Sequence, residues 1–381
     1  ASLKNDAMLS VAVIGGGLCG LGTTYHLLAR GHHVTVIDGA CNRGVAINDN
    51  GHFRTASAVA AGLLHPLSPR LKMTWCGEEA YDMAFELIQA AGSDQIVTSS
   101  EVYRPCRDDE DRDAVTKAAS KLGPKELEIL DANTLTAAVP WSAMTRFGGV
   151  RIVRARVIDA QRYMSLLWKA CECRGAVWQF RQISNIDEFY LQGEFDRVIF
   201  CGGASGLGNK LLGDQTSLIR GQSVKLHSVQ QHNSLALLRG DYLCPLAEPP
   251  ATYILGATRE RISTFEHSLA YGVDSPHTLL TSHLQKAAFD MAPSTDFTPI
   301  CATAGVRLDG PKTNFGRLPV LAVPKPGLIF AGALGSRGLL RHAQVGALAA
   351  ELASLDLGAK FNEYIPLPLR LPPSSKAVSY T

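Results

Sequence analysis

The sequence contains no apolar run near the ~20 residues that a bilayer-spanning helix needs, so an integral helical membrane protein is excluded. It also lacks an excess of either charge. Thirty-seven Lys and Arg stand against 35 Asp and Glu, a formal net charge of +2, and nothing in that balance points to nucleic acid. No thiol framework is present. The nine cysteines are scattered, Cys171-x-Cys173 is too close for a CxxC motif, and no Cys/His cluster has zinc-ligand spacing. An odd number without a framework favours a reducing compartment, with most thiols serving as small core residues. No metal site is expected. A secretory signal is missing as well, since Ala1–Leu9 is short and mixed. The chain begins with Ala rather than Met, so cytoplasm and an organelle stroma, chloroplast included, both stay open. No internal repeat is evident. What remains, at 381 residues with 46% hydrophobic and 19% charged content, suits a soluble globular enzyme of two or three domains.

The most informative stretch is Val11–Asp38, VAVIGGGLCGLGTTYHLLARGHHVTVID. Val11–Ile14 has the length of a buried parallel strand. Gly15, Gly17 and Gly20 follow at G-x-G-x-x-G spacing, then a short helix from Leu21 to Arg30 that Gly31 stops. Val34–Ile37 is a second β-branched strand with Asp38 at its end. Each residue type has a physical task. Gly15 permits the tight turn, Gly17 lets backbone approach a pyrophosphate, and Gly20 lets helix and strand pack closely. The helix N-terminus offers free N–H groups to phosphate, and an acid at this distance can hold a ribose hydroxyl pair. The stretch reads as a dinucleotide site.

Downstream, His52–Ser68 is rich in small residues, as a segment approached closely by another group should be. Glu78–Ala91 and Asp159–Cys173 have helical periodicity, as do Asp109–Ser120 and Lys125–Leu135. The charge run Arg107–Arg112 reads as a solvated turn. Strands are expected at Ile96–Val97, Gly148–Val157, Ala176–Phe180 and within Phe195–Ser205, which runs into a glycine turn. Arg220–Val229 and Tyr253–Thr258 suit an antiparallel sheet, with helical stretches at Ser263–Leu269 and His277–Phe289 after them. Strands return at Ala304–Leu308 and Leu328–Ala333. Gly335–Gly338 is a glycine-rich turn into a long helix, Leu339–Leu357. The expected architecture is α/β with two interleaved domains. A doubly wound, Rossmann-like domain is assembled from residues 1–90, 151–220 and 301–363. An antiparallel-sheet α+β domain is made from the inserts 91–150 and 221–300, and 364–381 is an extended tail.

An ordered series of segments carries a family resemblance. GGGLCG at Gly15–Gly20, ASAVAAGLLHP at Ala56–Pro66, FDRVIFCGGAS at Phe195–Ser205 and RGQ at Arg220–Gln222 come first. YLCP at Tyr242–Pro245, YILGATRE at Tyr253–Glu260, GVRL at Gly305–Leu308 and ALGSRGL at Ala333–Leu339 follow. The chain resembles the FAD-dependent D-amino-acid oxidase and glycine oxidase superfamily. It looks closest to glycine oxidase and to the oxidase domain of the bacterial bifunctional enzyme that modifies tRNA wobble uridines.

The resemblance implies FAD as cofactor and assigns roles residue by residue. Asp38 would hold the adenosine ribose, beside the Gly15, Gly17 and Gly20 turn. Ser57, with backbone of Ala56, Gly62 and Leu63, would lie along the pyrophosphate and flavin. Val177 would offer backbone to adenine, and Gly202 with Gly203 would let the chain pass beneath the cofactor. The turn of Gly335, Ser336, Gly338 and Leu339 would face the flavin pyrimidine ring, where helix N–H groups and Arg337 stabilise negative charge. Arg307 would clamp a substrate carboxylate, a task that suits its planar, permanently charged fork, and Tyr242 would share it. Arg259 and Glu260 read as structural contacts; Arg54 is unassigned. Departures occur at Leu246-Ala247-Glu248, where free-amino-acid oxidases often carry Arg, and at Leu340-Arg341-His342, where relatives carry small or hydroxyl residues. His342 is expected on the helix exterior.

The expected activity is oxidation of the C–N bond of a small, glycine-like amine or amino acid by hydride transfer to flavin N5, with oxygen as the electron acceptor. Two other readings stay open at this stage: oxidation of a carboxymethylamino group on a tRNA nucleoside, and a non-catalytic interaction subunit. A homo-oligomer is also left open.

Overall fold

The apolar run at residues 11–14 becomes the centre of a sheet, as a strand buried on both faces requires. The computed structural model describes residues 8–39, 55–204, 212, 215–229, 234–247, 251–263, 282–291, 297–355 and 365–370. In chain order the elements used below begin with β1 (Ser10–Ile14), α1 (Leu18–Ala29), β2 (His33–Asp38), α2 (Gly77–Ala90), α3 (Ala160–Glu172), β3 (Val177–Phe180) and β4 (Arg197–Phe200). They continue with β5 (Ser217–Ser228), β6 (Asp241–Pro245), β7 (Thr252–Gly256), β8 (Phe297–Asp309), β9 (Val320–Lys325), β10 (Leu328–Gly332) and α4 (Gly338–Ser354).

The first sheet has the order β9-β10-β4-β1-β2-β3. All its pairs are parallel except β9 with β10 at one edge. Strands far apart in sequence are direct neighbours: Val11 lies opposite Arg197 and Ile14 opposite Phe200. On one face Val11, Val13, Val34, Val36 and Ile199 pack under the four helices α1 to α4. On the other, Ala12, Ile14, Phe200 and Phe330 meet Leu218, Val306 and Leu308 from β5 and β8. The helix layer is tightest where α1 and α4 cross. A Cβ on Gly346 would lie 2.6 Å from the carbonyl carbon of Gly22, and one on Gly22 would lie 2.7 Å from the His342 carbonyl oxygen. At that crossing backbone touches backbone.

The second sheet has nine strands, built around β5. β7 pairs antiparallel along one edge of β5, with Ser223 opposite Gly256, and β8 along the other, with Ser223 opposite Thr303. β6 follows β7, with Tyr242 opposite Gly256. Leu235–Arg239, Glu101–Pro105, Gly149–Ile152 and Leu127–Leu130 extend the sheet, so both inserts share it. β8 stays in this sheet as far as Asp309. Residues 301–309, assigned above to the Rossmann-like part, therefore hydrogen-bond within the antiparallel one.

Three expectations are corrected. Lys125–Leu135 is not one helix: Leu127–Leu130 pairs with Gly149–Ile152, and a helix over Ala132–Ala138 starts only after Asp131 caps it by accepting from the Thr134 N–H at 2.7 Å. Sheet pairing overrides the helical propensity of Lys, Glu and Leu there. The start of the tail is not free, because Ile365 and Leu369 are 1% exposed and pack into the main core. His342 is not on a helix exterior; it is fully buried. Asn42–Asn50, His52–Arg54, Ser205, Glu248, 264–269, 277–281, 356–357, Tyr364 and 371–381 lie outside the described residues.

Candidate active site

The Gly15–Gly20 turn connects the end of β1 to α1. Gly15 has φ +105°, and a Cβ there would sit 2.7 Å from the Cys201 carbonyl oxygen and 3.0 Å from Gly202 Cα. The turns after β1 and β4 thus touch, as two loops meeting beneath one ligand should. A Cβ on Gly20 would lie 1.8 Å from the Gly15 carbonyl oxygen, so only glycine lets α1 start this close to its strand. Gly17 is the N-cap of α1 and has no side chain to fill that role. The Leu18 N–H is instead bound by Ser57 Oγ at 3.2 Å, a residue from a distant segment. Asp38 Oδ2 accepts from the Gly16 N–H at 2.6 Å, which pins the carboxylate beside the turn.

The Ala56–Leu64 segment reaches this site over a small sheet. Gly62 has φ +78°, its Cβ would collide with the Ile158 carbonyl oxygen at 1.7 Å, and Leu63 pairs with Val157. Ala56 and Ser57 are half-buried. Val177 opens the edge strand β3 opposite Thr35, with 58% of its surface exposed. Trp178 beside it was not singled out by the sequence. Its indole lies where a Cβ on Gly16 would be, which explains the middle glycine of the run.

At the other end of the first sheet, β10 runs into the Gly335–Arg337 turn and then α4. Gly335 has φ +60°, and a Cβ there would meet Asp309 Oδ1 at 2.9 Å. Ser336 is exposed, Gly338 half-buried and Leu339 buried. The Arg337 guanidinium has no acidic partner among the described residues, and burial lowers its pKa to about 10. His65, on the segment facing it, is held neutral by burial and by Arg337, with its pKa lowered to about 3. The buried Nδ1 of His65 has no hydrogen-bond partner among the described residues. One helical turn on, Arg341 is buried and its hydrogen-bond partners are all neutral. It donates to Gln344 Oε1 at 2.8 Å, to Thr74 Oγ1 at 3.2 Å and to the Trp75 carbonyl, and it stacks on the Trp75 ring. His342 points the other way. Its Nδ1 donates to the Leu339 carbonyl at 2.8 Å, so its Nε2 accepts from the Tyr163 hydroxyl at 2.6 Å. It is a core pin between α3 and α4.

Arg307 and Tyr242 sit on one face of the second sheet. Asp309 Oδ1 accepts from Arg307 Nε at 3.2 Å, which ties Arg307 to the Gly335 turn. Nη1 of Arg307 lies 3.6 Å from where a Cβ on Gly221 would be, so the guanidinium spreads over glycine backbone. In the next row the Tyr242 hydroxyl meets Ser223 Oγ at 3.0 Å, crossing over Gly256. A Cβ on Gly256 would lie 2.3 Å from Ser223 Oγ and 2.8 Å from the Tyr242 hydroxyl. Burial raises the Tyr242 pKa to about 12, so it stays a protonated donor. Arg259 donates to the Gly240 carbonyl at 3.4 Å, and Glu260 pairs with Arg220 at 3.0 Å, both as structural contacts. Ser223 and Thr303 were missed by sequence reading; strand alternation places them on the same face as Arg307, two rows away, but only the pairing of β5 with β8 reveals it.

These residues fit FAD. The glycine turn, the N-terminus of α1 and Asp38 would hold an ADP group. A half-buried Arg337 with no acidic partner among the described residues, near the orphaned His65 Nδ1, fits a flat ring with carbonyl oxygens and polar nitrogens. No group of His, Cys, Asp or Glu among the described residues can hold a metal ion, and none of the described helices is long and apolar enough to cross a membrane. All eight described cysteines are free.

Comparisons with known proteins agree. A family model for FAD-dependent oxidoreductases, the DAO family, matches residues 10–352. No curated protein matches the chain. Among solved structures, glycine oxidase from Geobacillus kaustophilus aligns with TM-score 0.70 and 18% identity, covering 96% of this chain and 99% of that one. Iminodiacetate oxidase from Chelativorans sp. BNC1 aligns with TM-score 0.68 and 20% identity over 93% of this chain and 98% of that one. Glycine oxidase from Bacillus cereus gives 0.68 and 17% over 91% and 94%. With the match running from the first residue of β1 to within α4, the chain belongs to the DAO family of FAD-dependent oxidoreductases.

Proposed function

We propose that this protein oxidises the C–N bond of a small amine or amino acid whose carboxylate is clamped by Arg307 and Tyr242. The observation that carries the reading is the position of the Arg307 guanidinium. Its Nε is occupied by Asp309 while its fork spreads over Gly221, one row from the Tyr242–Ser223 hydroxyl pair. A carboxylate set there meets a permanent cation and a protonated phenol, a charge-assisted pairing with fixed geometry. The structural neighbours named for glycine and iminodiacetate support it, since both molecules carry an amine one carbon from a carboxylate.

Bound FAD supplies the hydride acceptor. The chain supplies orientation and charge. Arg307 and Tyr242 fix the carboxylate end of the substrate, which leaves the α-carbon as the only part free to be presented to the cofactor. Arg337 and the N-terminus of α4 raise positive potential where the cofactor gains negative charge. No protein base is required, because the lone pair of a neutral substrate amine assists hydride departure. Oxygen takes the electrons afterwards and water hydrolyses the imine product.

The test is an anaerobic titration of the purified yellow protein with glycine, sarcosine, proline and D-alanine. Bleaching by one of them, with affinity lost in Arg307→Ala, supports the proposal. Bleaching with unchanged affinity in that variant removes the clamp.

A further inference from the structure

Two features that stand out in the sequence take no part in the carboxylate clamp: the Leu63-Leu64-His65-Pro66 step and Arg341. Leu63 and Leu64 alternate across their short strand. Leu64 is 0% exposed and packs under the helix layer with Val11 and Val34. Leu63 packs against a different cluster, one that Tyr242 also borders. Pro66 holds the residue before it extended, so the alternation continues and His65 comes out on the side of Leu63 and Tyr242.

The Nδ1 atom of His65 is buried and has no hydrogen-bond partner among the described residues. A buried polar nitrogen left unpaired is costly and is normally explained by a water or a ligand. Burial, with the Arg337 charge behind it, keeps the ring neutral, so one of its nitrogens offers a lone pair. The backbone beside the ring is held in place. The Pro66 carbonyl accepts from the Thr74 N–H at 3.1 Å and from the Thr74 hydroxyl at 2.8 Å, and Thr74 Oγ1 accepts from Arg341 at 3.2 Å. Arg341 thereby ties the His65 segment to the first turn of α4, beside Arg337. From the other side, Asp309 bridges to Leu334 and binds Arg307, so the strand that carries Arg307 is fastened to the same turn. Arg307 in turn lies near enough to Tyr242 to oppose the rise that burial gives its pKa.

Arg307, Arg337 and the protonated Tyr242 all present protons, which suits a carboxylate. An amine N–H set among them needs an acceptor. Resting on the amine-oxidase reading above, we propose that His65 is the amine-binding residue of this site, with Nε2 protonated and Nδ1 accepting an N–H of the substrate amine. The carboxylate on Arg307 and Tyr242 and the amine on His65 then fix both polar ends of the substrate. The nitrogen lone pair stays free to assist hydride departure.

Near-isosteric pairs of acids test this without turnover. The FAD-loaded protein is reduced with dithionite under nitrogen, so that no amine can be oxidised, and binding is measured by calorimetry near pH 9. Glycine is compared with propionate, and sarcosine with butyrate; within each pair carbon replaces the amine nitrogen. The amine is expected to bind about tenfold tighter than its carbon analogue, the worth of one good hydrogen bond. His65→Leu is expected to remove that ratio while propionate affinity and FAD content stay as they were. His65→Gln, whose amide oxygen also accepts, is expected to keep part of it. A wild-type protein that binds both members of a pair equally overturns the proposal and leaves the clamp standing, as does a ratio unchanged in His65→Leu. Loss of FAD, or equal loss of both members, in His65→Leu and His65→Gln alike assigns His65 to the cofactor or to packing and overturns it too. If none of the four acids binds, the clamp fails and takes this proposal with it.

Discussion

Asp309 Oδ1 receives the Arg307 Nε–H at 3.2 Å and at the same time fills the space that a side chain on residue 335 would need. One carboxylate thus sets the Arg307 guanidinium against the turn that opens α4. Arg307→Lys removes both the Nε bond and the planar fork. Carboxylate affinity is expected to fall at least about tenfold, by loss of one charge-assisted hydrogen bond, with little change in FAD content. Flavin difference spectra with acetate measure it.

Gly20 is the position where one methyl group does most harm. Its Cβ would lie 1.8 Å from the Gly15 carbonyl oxygen, which is backbone and cannot swing away. Gly20→Ala is expected to cost roughly 3 kcal/mol, at the upper end for overpacking, and to purify without FAD. Denaturant unfolding and the absorbance ratio of flavin to protein check both parts.

Arg337 carries opposite consequences for the empty and loaded protein. Its charge is half-buried with no acidic partner among the described residues, and desolvation already lowers its pKa. Arg337→Met is expected to raise the melting temperature of the apoprotein, since a desolvated charge is removed. In the loaded protein the same change lowers the flavin midpoint potential, by roughly 30 mV for each 1.4 kcal/mol of lost stabilisation. Thermal melts of apoprotein and a dye-coupled reductive titration separate the two effects.

Acid should destabilise the protein through His342. Burial holds its pKa at about 4, below the ~6.5 of an exposed histidine. Its unfolded form therefore binds a proton that the folded form refuses. Stability is complete above pH 6.5 and is lost as pH falls toward 4, by about 1.4 kcal/mol per pH unit from this residue. His26, also lowered to about 4, adds in the same direction. Urea midpoints between pH 4 and 7 measure the slope, and His342→Gln should flatten it.

The dinucleotide turn was legible because its glycine spacing is local, although only Gly20 is required by nearby backbone, the Gly15 carbonyl; Gly15 is required by Cys201 and Gly202, and Gly17 faces Ser57. Arg307 and Tyr242 were named by resemblance alone, since what brings them to one face is the register of β5 with β7 and β8, and β7 with β6. The same register hides Ser223 and Thr303 from a linear reading. His342 misled because α4 is buried on nearly every side, so no polar face marks its exterior. Lys125–Leu135 misled because sheet partners come from another part of the chain.

The contact of Gly22 with Gly346 fixes more than a packing distance. α1 begins at the phosphate-facing turn and α4 at the turn beside Arg337, and the two helices are riveted backbone to backbone at one crossing. Their N-termini behave as the jaws of a caliper locked at a set opening. The opening between the two turns is therefore set when the chain folds, so a ligand that spans it would pay little ordering entropy on binding.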